Sequence, residues 1–425
     1  MAQPEILIAG GGIGGLSAAL ALALKGRRVR VLEKAAEFGE IGYGIQMGPN
    51  VYPILERLGV FKRMAPHVVY PDALVLADGL TGNELSRINL DPQFRARFKH
   101  PYFVVHRRDL HGSILEACRE RDEIALEASK GLASFAQDGN RVRVTCEDGS
   151  EYEGVALIGA DGLWSPTRSA VVGDGGPRLA GHFVYRGLVP TEEIIDRSYL
   201  DSMVIYIGHN LHLVQYRLRG GTVMNNVATI ESGRFKRGEP NAGDPAELEE
   251  IFAQCTPRVR DMLRYISRER NWVLHDREPV TNWTKGNVTL LGDAAHPTLQ
   301  YLAQGACMAI EDAVVLAAEV ARHGDDFNGA FLAYQEQRMN RTARVVLSAR
   351  FFGAYIHAGG GARLLRNELL AKRDPDNPWE ADWLYRGIDV PEWADGSSYE
   401  TPGPGWTTGG KSSVMPQTAQ RTPNK

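Results

Sequence analysis

The sequence predicts a mixed α/β chain in which a parallel-sheet domain is interleaved with an antiparallel-sheet domain and closed by C-terminal helices. Three observations carry this reading. Strand and helix signals alternate over the first sixty residues, short strands joined by turns dominate from about 140 to 230, and long helical periodicities follow residue 305.

In order, an apolar strand at 6–9 leads into a helix at about 13–25 and a second strand at 28–33, a βαβ unit that favours a parallel sheet. Strands at 141–146 and 152–158 flank the turn residues Glu147, Asp148 and Gly149. The segment 183–230 reads mostly as strands, as at 203–207, 211–218 and 224–229, and is assigned to a second, antiparallel sheet. Helical spacing returns at 246–254 and 257–269. A strand at 288–291 then precedes a long helix at about 306–323, and two further helices are expected at 327–352 and 362–372. The first domain is therefore expected to be discontinuous, from residues 1–73, 100–175 and 280–345. Residues 74–99 and 176–279 form the second domain, and 346–395 a C-terminal helical segment. From Gly396 the chain is Ser, Thr, Gly and Pro with little to bury, so 396–425 is expected to be a disordered tail.

A chain of 425 residues is too long for one ordinary core. Its 43% hydrophobic and 24% charged content is that of a globular protein. The net charge of −4 gives no general attraction to nucleic acid or anionic membrane. No run approaches the roughly 18 apolar residues of a membrane span; the stretch 308–321 is interrupted by Glu311, Asp312 and Glu319. No basic region precedes the apolar segment at 6–9, so a signal peptide is not expected and the location read is cytoplasmic. Four scattered cysteines without a CxxC pair read as reduced thiols, and eleven histidines without HExxH give no metal expectation.

Three separated motifs carry the chemistry. In the first, Gly10, Gly12 and Gly15 form a GxGxxG that follows a strand and, with Ile13 and Gly14, opens a helix. Glycines there permit a tight turn and let backbone N–H groups approach a pyrophosphate at the positive end of the helix. Glu33 ends the next strand, where a carboxylate accepts hydrogen bonds from ribose hydroxyls. This motif alone does not separate FAD from NAD. The second motif places Asp161 and Gly162 after a strand, with Arg168 following. The third places Gly292 and Asp293 after a strand, ahead of Gln304, Gly305 and Ala306 at a helix start.

In this order and spacing the motifs resemble the single-component, FAD-dependent aromatic hydroxylases of the para-hydroxybenzoate hydroxylase-like family, over about residues 4–395. The resemblance implies a Rossmann-like FAD-binding domain and a bound FAD. Asp293 would bind the ribityl chain, Arg107 would contact FAD, and Asp161 with Arg168 would lie between FAD and the path of NAD(P)H. The helix opening at Gly305 and Ala306 would turn its positive end toward the flavin and stabilise the reduced anion. Ala303 and Cys307 stand where the family often has Gly and Asn, so the contacts there differ while the helix end remains. No second GxGxxG serves the nicotinamide, as in this family, and this counts against a two-Rossmann flavin reductase.

His212, Val214 and Tyr216 alternate along one strand and so share a face. The run from His212 to Gly221, and the later Gln300, Tyr301 and Leu302, resemble the 3-hydroxybenzoate 6-hydroxylase subgroup of that family. That resemblance implies that His212, Tyr216 and Gln300 line the substrate site, with Val214 and Tyr102 as further substrate contacts. It also implies hydroxylation of 3-hydroxybenzoate to 2,5-dihydroxybenzoate (gentisate), with NADH (NADPH the alternative) and O₂, through a C4a-hydroperoxide of the flavin. Electrophilic oxygen needs an electron-rich ring. A phenol of pKa about 10 is protonated at neutral pH, whereas an imidazole near about 6.5 can take its proton. His212 is thus the expected base, with Tyr216 and Gln300 orienting the ring. Competing readings are a decarboxylating salicylate 1-hydroxylase and a non-catalytic sensor of FAD and aromatic acids; the WxWxIP motif of flavin-dependent halogenases is missing. The resemblance further implies a homodimer.

Overall fold

The computed structural model describes residues 5–39 and 42–388. The expected tail at 396–425, and the end of the C-terminal segment, lie outside these residues.

Strand Glu5–Ala9 is central in a six-stranded sheet, between Ala156–Gly159 and Arg28–Leu32, both parallel to it. Val288–Leu290 and Ile124–Glu127 extend the parallel sheet on either side, and Thr284–Lys285 adds an antiparallel edge. The strand order reverses at Glu5–Ala9, which opens a crevice at the carboxyl ends of its neighbours. Helix Ile13–Leu24 is apolar nearly all round and buried, as a helix enclosed on several sides must be. It packs against helix Gly305–His323.

The second sheet has seven strands in the order Asn271–Asp276, Arg178–Pro190, Val223–Glu231, Leu211–Leu218, Met203–Gly208, Ala73–Asp78 and Glu84–Asn89. It is antiparallel except where Met203–Gly208 runs parallel to Ala73–Asp78. Period two divides its faces. Leu211 and Leu213 join the core formed with Leu248, Phe252 and Met262, whereas Val214 and Tyr216 pack with Tyr102, Val184 and Met308 on the opposite face. Strand Gly44–Met47 pairs with Phe103–His106 in a separate ribbon.

Two expected elements are corrected. The single strand at 152–158 is two strands in different sheets, Glu151–Gly154 and Ala156–Gly159. Gly154 lies so close to the central strand that a Cβ would sit 2.7 Å from the Glu5 carbonyl oxygen, which permits the crossing. The helix expected at 257–269 ends as Pro257–Asp261 followed by a 3₁₀ turn, Met262–Tyr265. Arg268 donates to the carbonyls of Leu263 and Ile266, replacing the bonds a continuing helix would make. The helices expected at 327–352 and 362–372 run Phe327–Ile356 and Gly360–Ala371, the first longer than its apolar period indicates, and a short helix Asp382–Tyr385 follows. Among the described residues no helix is long and apolar enough to cross a membrane.

Candidate active site

One cavity of about 1000 Å³ runs from the glycine turn to the second sheet, lined at one end by Gly10, Gly12, Ile13, Gly14 and Glu33 and at the other by His212, Val214, Tyr216 and Gln300. The glycines are needed by contact as well as by torsion. Gly10 has φ +105°, and a Cβ on Gly15 would lie 1.9 Å from the Gly10 carbonyl oxygen. Gly15 itself does not line the cavity; it lets the turn close. No side chain caps helix Ile13–Leu24, so its first-turn N–H groups are left for an anion. Glu33 accepts from the Gly11 N–H at 2.6 Å and the Ala35 N–H at 2.8 Å, which holds its carboxylate at the cavity edge.

Further along, Asp161, Asp293 and Arg107 line the same cavity. Asp161 is engaged with its own loop: it accepts from the Thr167 N–H at 3.1 Å, the Thr167 hydroxyl at 2.6 Å and the Ser165 hydroxyl. Arg168 is fully buried and outside the cavity lining. It donates to the carbonyls of Ala294 at 2.9 Å and Ala295 at 2.6 Å and pairs with Asp174, so it clamps the second motif to the third. Asp293 is exposed to the cavity beside Gly292, Gly305 and Ala306. Helix Gly305–His323 has no side-chain cap, so its positive end also faces the cavity. Ala303 occupies the left-handed region at φ +53°, a conformation that suits glycine. Cys307 is buried, and burial pushes its thiol up to about 12.

An ionic network fixes this helix. Glu311 pairs with Arg341 at 2.7 Å and Arg338 at 2.8 Å; Asp312 pairs with Arg338 at 2.6 Å, meets His296 Nε2 at 2.6 Å and accepts from the Gly292 N–H at 3.0 Å. Burial would raise the Asp312 carboxyl, but His296 and Arg338 hold it down to about 2. The Gly-Asp loop is thus tied to the helix that follows it.

At the far end the wall is aromatic and apolar, with Ile205, Val227, Leu299, Tyr301, Phe352 and Ile356 beside His212. His212 Nδ1 lies 2.8 Å from His357 Nε2. Burial, with the neighbouring His357 and His182, puts His212 well below the ordinary imidazole range, so it is neutral. Tyr216 is pushed up to about 12 by burial, against Arg186 and a bond with Gln46. Its ring lies over Gly44, where a Cβ would approach to 2.5 Å. Tyr102 is outside the cavity lining: its hydroxyl donates to Gln46 Oε1 at 2.6 Å, and Gln46 is the residue that faces inward. Gln300 accepts from Arg186 at 3.0 Å and donates to Thr229 at 3.0 Å, leaving one amide hydrogen free.

Arg186 was not among the residues expected from sequence. Its guanidinium lies over Tyr43 at 5.5 Å and Trp272 at 5.9 Å, and it lines the cavity. Burial lowers its pKa, and among the described residues no acid is among the groups acting on it. Its signal in the sequence is an arginine set between the apolar residues of strand Arg178–Pro190, which matches no motif. Gln46, Tyr301 and His357 were also missed; each joins the site only through tertiary packing. No metal was expected, yet among the described residues His182, Glu231 and His357 bring possible ligand atoms within 4.8 Å of one another.

The chain belongs to the FAD-binding-domain family, whose model matches residues 3–349. Among relatives, it is 44% identical to 3-hydroxybenzoate 6-hydroxylase 1 of Aquipseudomonas alcaligenes, over 90% of this chain and 97% of that protein. It is 43% identical to 3-hydroxybenzoate 6-hydroxylase of Polaromonas naphthalenivorans, over 90% and 96%. Among solved structures, Klebsiella pneumoniae HpxO complexed with FAD and uric acid is 27% identical with a TM-score of 0.78, covering 89% of this chain and 96% of that one.

Proposed function

We propose that this protein is an FAD-dependent monooxygenase that uses NAD(P)H and O₂ to hydroxylate 3-hydroxybenzoate to 2,5-dihydroxybenzoate. The observation that carries the reading is the pairing, in one aromatic-lined wall, of a neutral histidine (His212) with a cation (Arg186) that has no acidic partner among the described residues. A phenolic acid needs both: a base for the hydroxyl and a cation for the carboxylate. The relatives at 39–44% identity over 89–90% of the chain are named for this substrate and position. Salicylate hydroxylase is 21% identical, a likeness of fold, so the decarboxylating alternative and the sensor reading have less support.

The residues present fit FAD. Two uncapped helix ends, a glycine turn that admits no Cβ, and the carboxylates of Glu33 and Asp293 line one continuous cavity. In this reading Gly10, Gly12, Ile13 and Gly14 hold the pyrophosphate, Glu33 the adenosine ribose, and Asp293 the ribityl chain. Arg107 and the N–H groups of Gly305 and Ala306 face the flavin end. Arg168 and Asp161 act by shaping the loops that border it. When bound, FAD supplies the redox chemistry, taking hydride from NAD(P)H and delivering one oxygen atom of O₂ to the ring.

His212 accepts the substrate hydroxyl proton; imidazole suits this because it is neutral at working pH and keeps one ring nitrogen as an acceptor. Gln300 holds Arg186 in place and has one N–H left for substrate. Tyr216 lines the ring. Tyr102 fixes Gln46 instead of touching substrate. NADH as preferred donor, a cytoplasmic location, a homodimer and the division into an FAD domain and a substrate domain belong to the same proposal. Product analysis over a hydroxybenzoate panel tests it: 2,5-dihydroxybenzoate from 3-hydroxybenzoate supports it, and catechol from salicylate overturns it.

A further inference from the structure

His212 does not end at the cavity wall. Behind it lies a chain of polar groups that binding of FAD and substrate does not use. His212 Nδ1 and His357 Nε2 are 2.8 Å apart, and the rings are tilted by 35° at 5.1 Å. His357 Nδ1 is buried, has no hydrogen-bond partner among the described residues and faces Glu231 Oε2 at 3.4 Å. The other Glu231 oxygen pairs with Lys236, whose side chain is 61% exposed. His182 Nε2 lies 3.6 Å from Glu231 Oε2, and its Nδ1 meets the Tyr301 hydroxyl at 2.5 Å. Every step is set by the fold. His182 and Glu231 are paired in register on adjacent strands, and His357 is the residue on which helix Phe327–Ile356 ends.

We infer that His357 and Glu231 form, with His212, a proton relay carrying the substrate hydroxyl proton from the cavity to the surface beside Lys236. The inference rests on the phenolic-acid reading above. The tautomers are consistent in one direction. Glu231 is ionised, His357 carries its proton on Nδ1, and His212 carries its proton on Nδ1, donated to His357 Nε2. This leaves His212 Nε2 as the acceptor for substrate. When the substrate O–H bond breaks, its proton goes to His212 Nε2. The Nδ1 proton of His212 passes to His357 Nε2, and the Nδ1 proton of His357 passes to Glu231 and then to water. One proton leaves, no electrons move, and return of a proton to the product oxygen along the same path restores both tautomers. The last gap closes by a shift of a few tenths of an ångström or through one water.

The environment suits transfer better than storage. His357 is lowered to about 4 by burial, with His182 and Arg366 adding to the effect and Glu231 opposing it. His182 and His357, joined by Lys236, hold Glu231 well below the usual carboxylate range despite partial burial. Neither imidazole holds a second proton at neutral pH, so a proton received must move on. Two histidines and a carboxylate are also a metal-ligand set. Lys236 on one Glu231 oxygen and Arg366 near His357 place two cations beside it, which favours the relay.

The test uses the FAD-loaded full-length protein and the positioning variants His357→Gln and Glu231→Gln, with circular dichroism and flavin content checked first. Wild-type conversion of 3-hydroxybenzoate is measured at the outset; no conversion overturns the functional reading and the relay with it. Given conversion, the relay predicts that kcat of each variant falls by about 10-fold or more at pH 6.5. KM should stay within about 2-fold, because neither side chain touches substrate. The deficit should shrink toward pH 9, with added imidazole, and with ring-fluorinated 3-hydroxybenzoates whose phenols are already ionised. Should His357→Gln fail to fold, Glu231→Gln carries the same comparison. Unchanged kcat at pH 6.5, or a loss equal at every pH and for every substrate, would overturn the relay. So would loss of wild-type activity on chelation that Zn²⁺ restores, which would make the triad a metal site.

Discussion

Arg186 and His212 divide the recognition of a phenolic acid between a charge and a base, so their variants should fail differently. Arg186→Ala removes a charge-assisted contact of about 1.5–3 kcal/mol, which should raise KM for 3-hydroxybenzoate by about 10- to 100-fold. Uncharged 3-hydroxybenzyl alcohol should be little affected, and steady-state kinetics on the two substrates reads the difference. His212→Ala should retain FAD and effector-stimulated NADH oxidation while losing hydroxylation by about 10²-fold or more at neutral pH. Full product yield from that variant would remove His212 from the mechanism. At this scale the sequence was informative about the strand of His212, because period two and a strand boundary are local properties. It could not show Arg186, whose role comes from Tyr43, Trp272 and Gln300, far away in the chain. Nor could spacing show that Tyr102 and Arg168 stop one layer short of the cavity.

The elements that position the site are a glycine turn and one helix braced by buried charges. A methyl group on Gly15 would meet the Gly10 carbonyl, so Gly15→Ala should purify with little flavin, measured by the flavin absorbance per protein. Arg338 is buried between Glu311 and Asp312, and removing it leaves two carboxylates short of a partner. Arg338→Met should therefore destabilise the protein by about 3–5 kcal/mol, read as a lower denaturant midpoint. The βαβ unit could be read from sequence because its strand, glycines and helix are contiguous. The strand break at Gly154 and the helix end at Asp261 could not, since the first depends on the distant Glu5 carbonyl and the second on how the side chain of Arg268 folds back onto the turn.

Across the whole molecule, burial of neutral histidines and paired carboxylates sets the acid limit of stability. His357 titrates near 6.5 when unfolded and at about 4 when folded, so between these values the unfolded chain binds more protons. Stability is then present above about pH 6.5 and is lost as pH falls toward 4. Asp312, lowered from 3.8 to about 2, extends the loss below pH 4. Urea midpoints should drop from pH 7 to pH 5, and His357→Gln should flatten that dependence; a midpoint constant over this range would contradict the burial of neutral histidine. The two-sheet arrangement was legible because each sheet writes its own periodicity, but how the sheets share one cavity lies in contacts across hundreds of residues. The decisive measurement is to incubate the FAD-loaded protein with 3-hydroxybenzoate, NADH and O₂ and to identify the product by chromatography. A 3-hydroxybenzoate 6-monooxygenase yields 2,5-dihydroxybenzoate in step with NADH and O₂ consumed; NADH oxidation yielding only hydrogen peroxide, or no NADH oxidation at all, would contradict that activity.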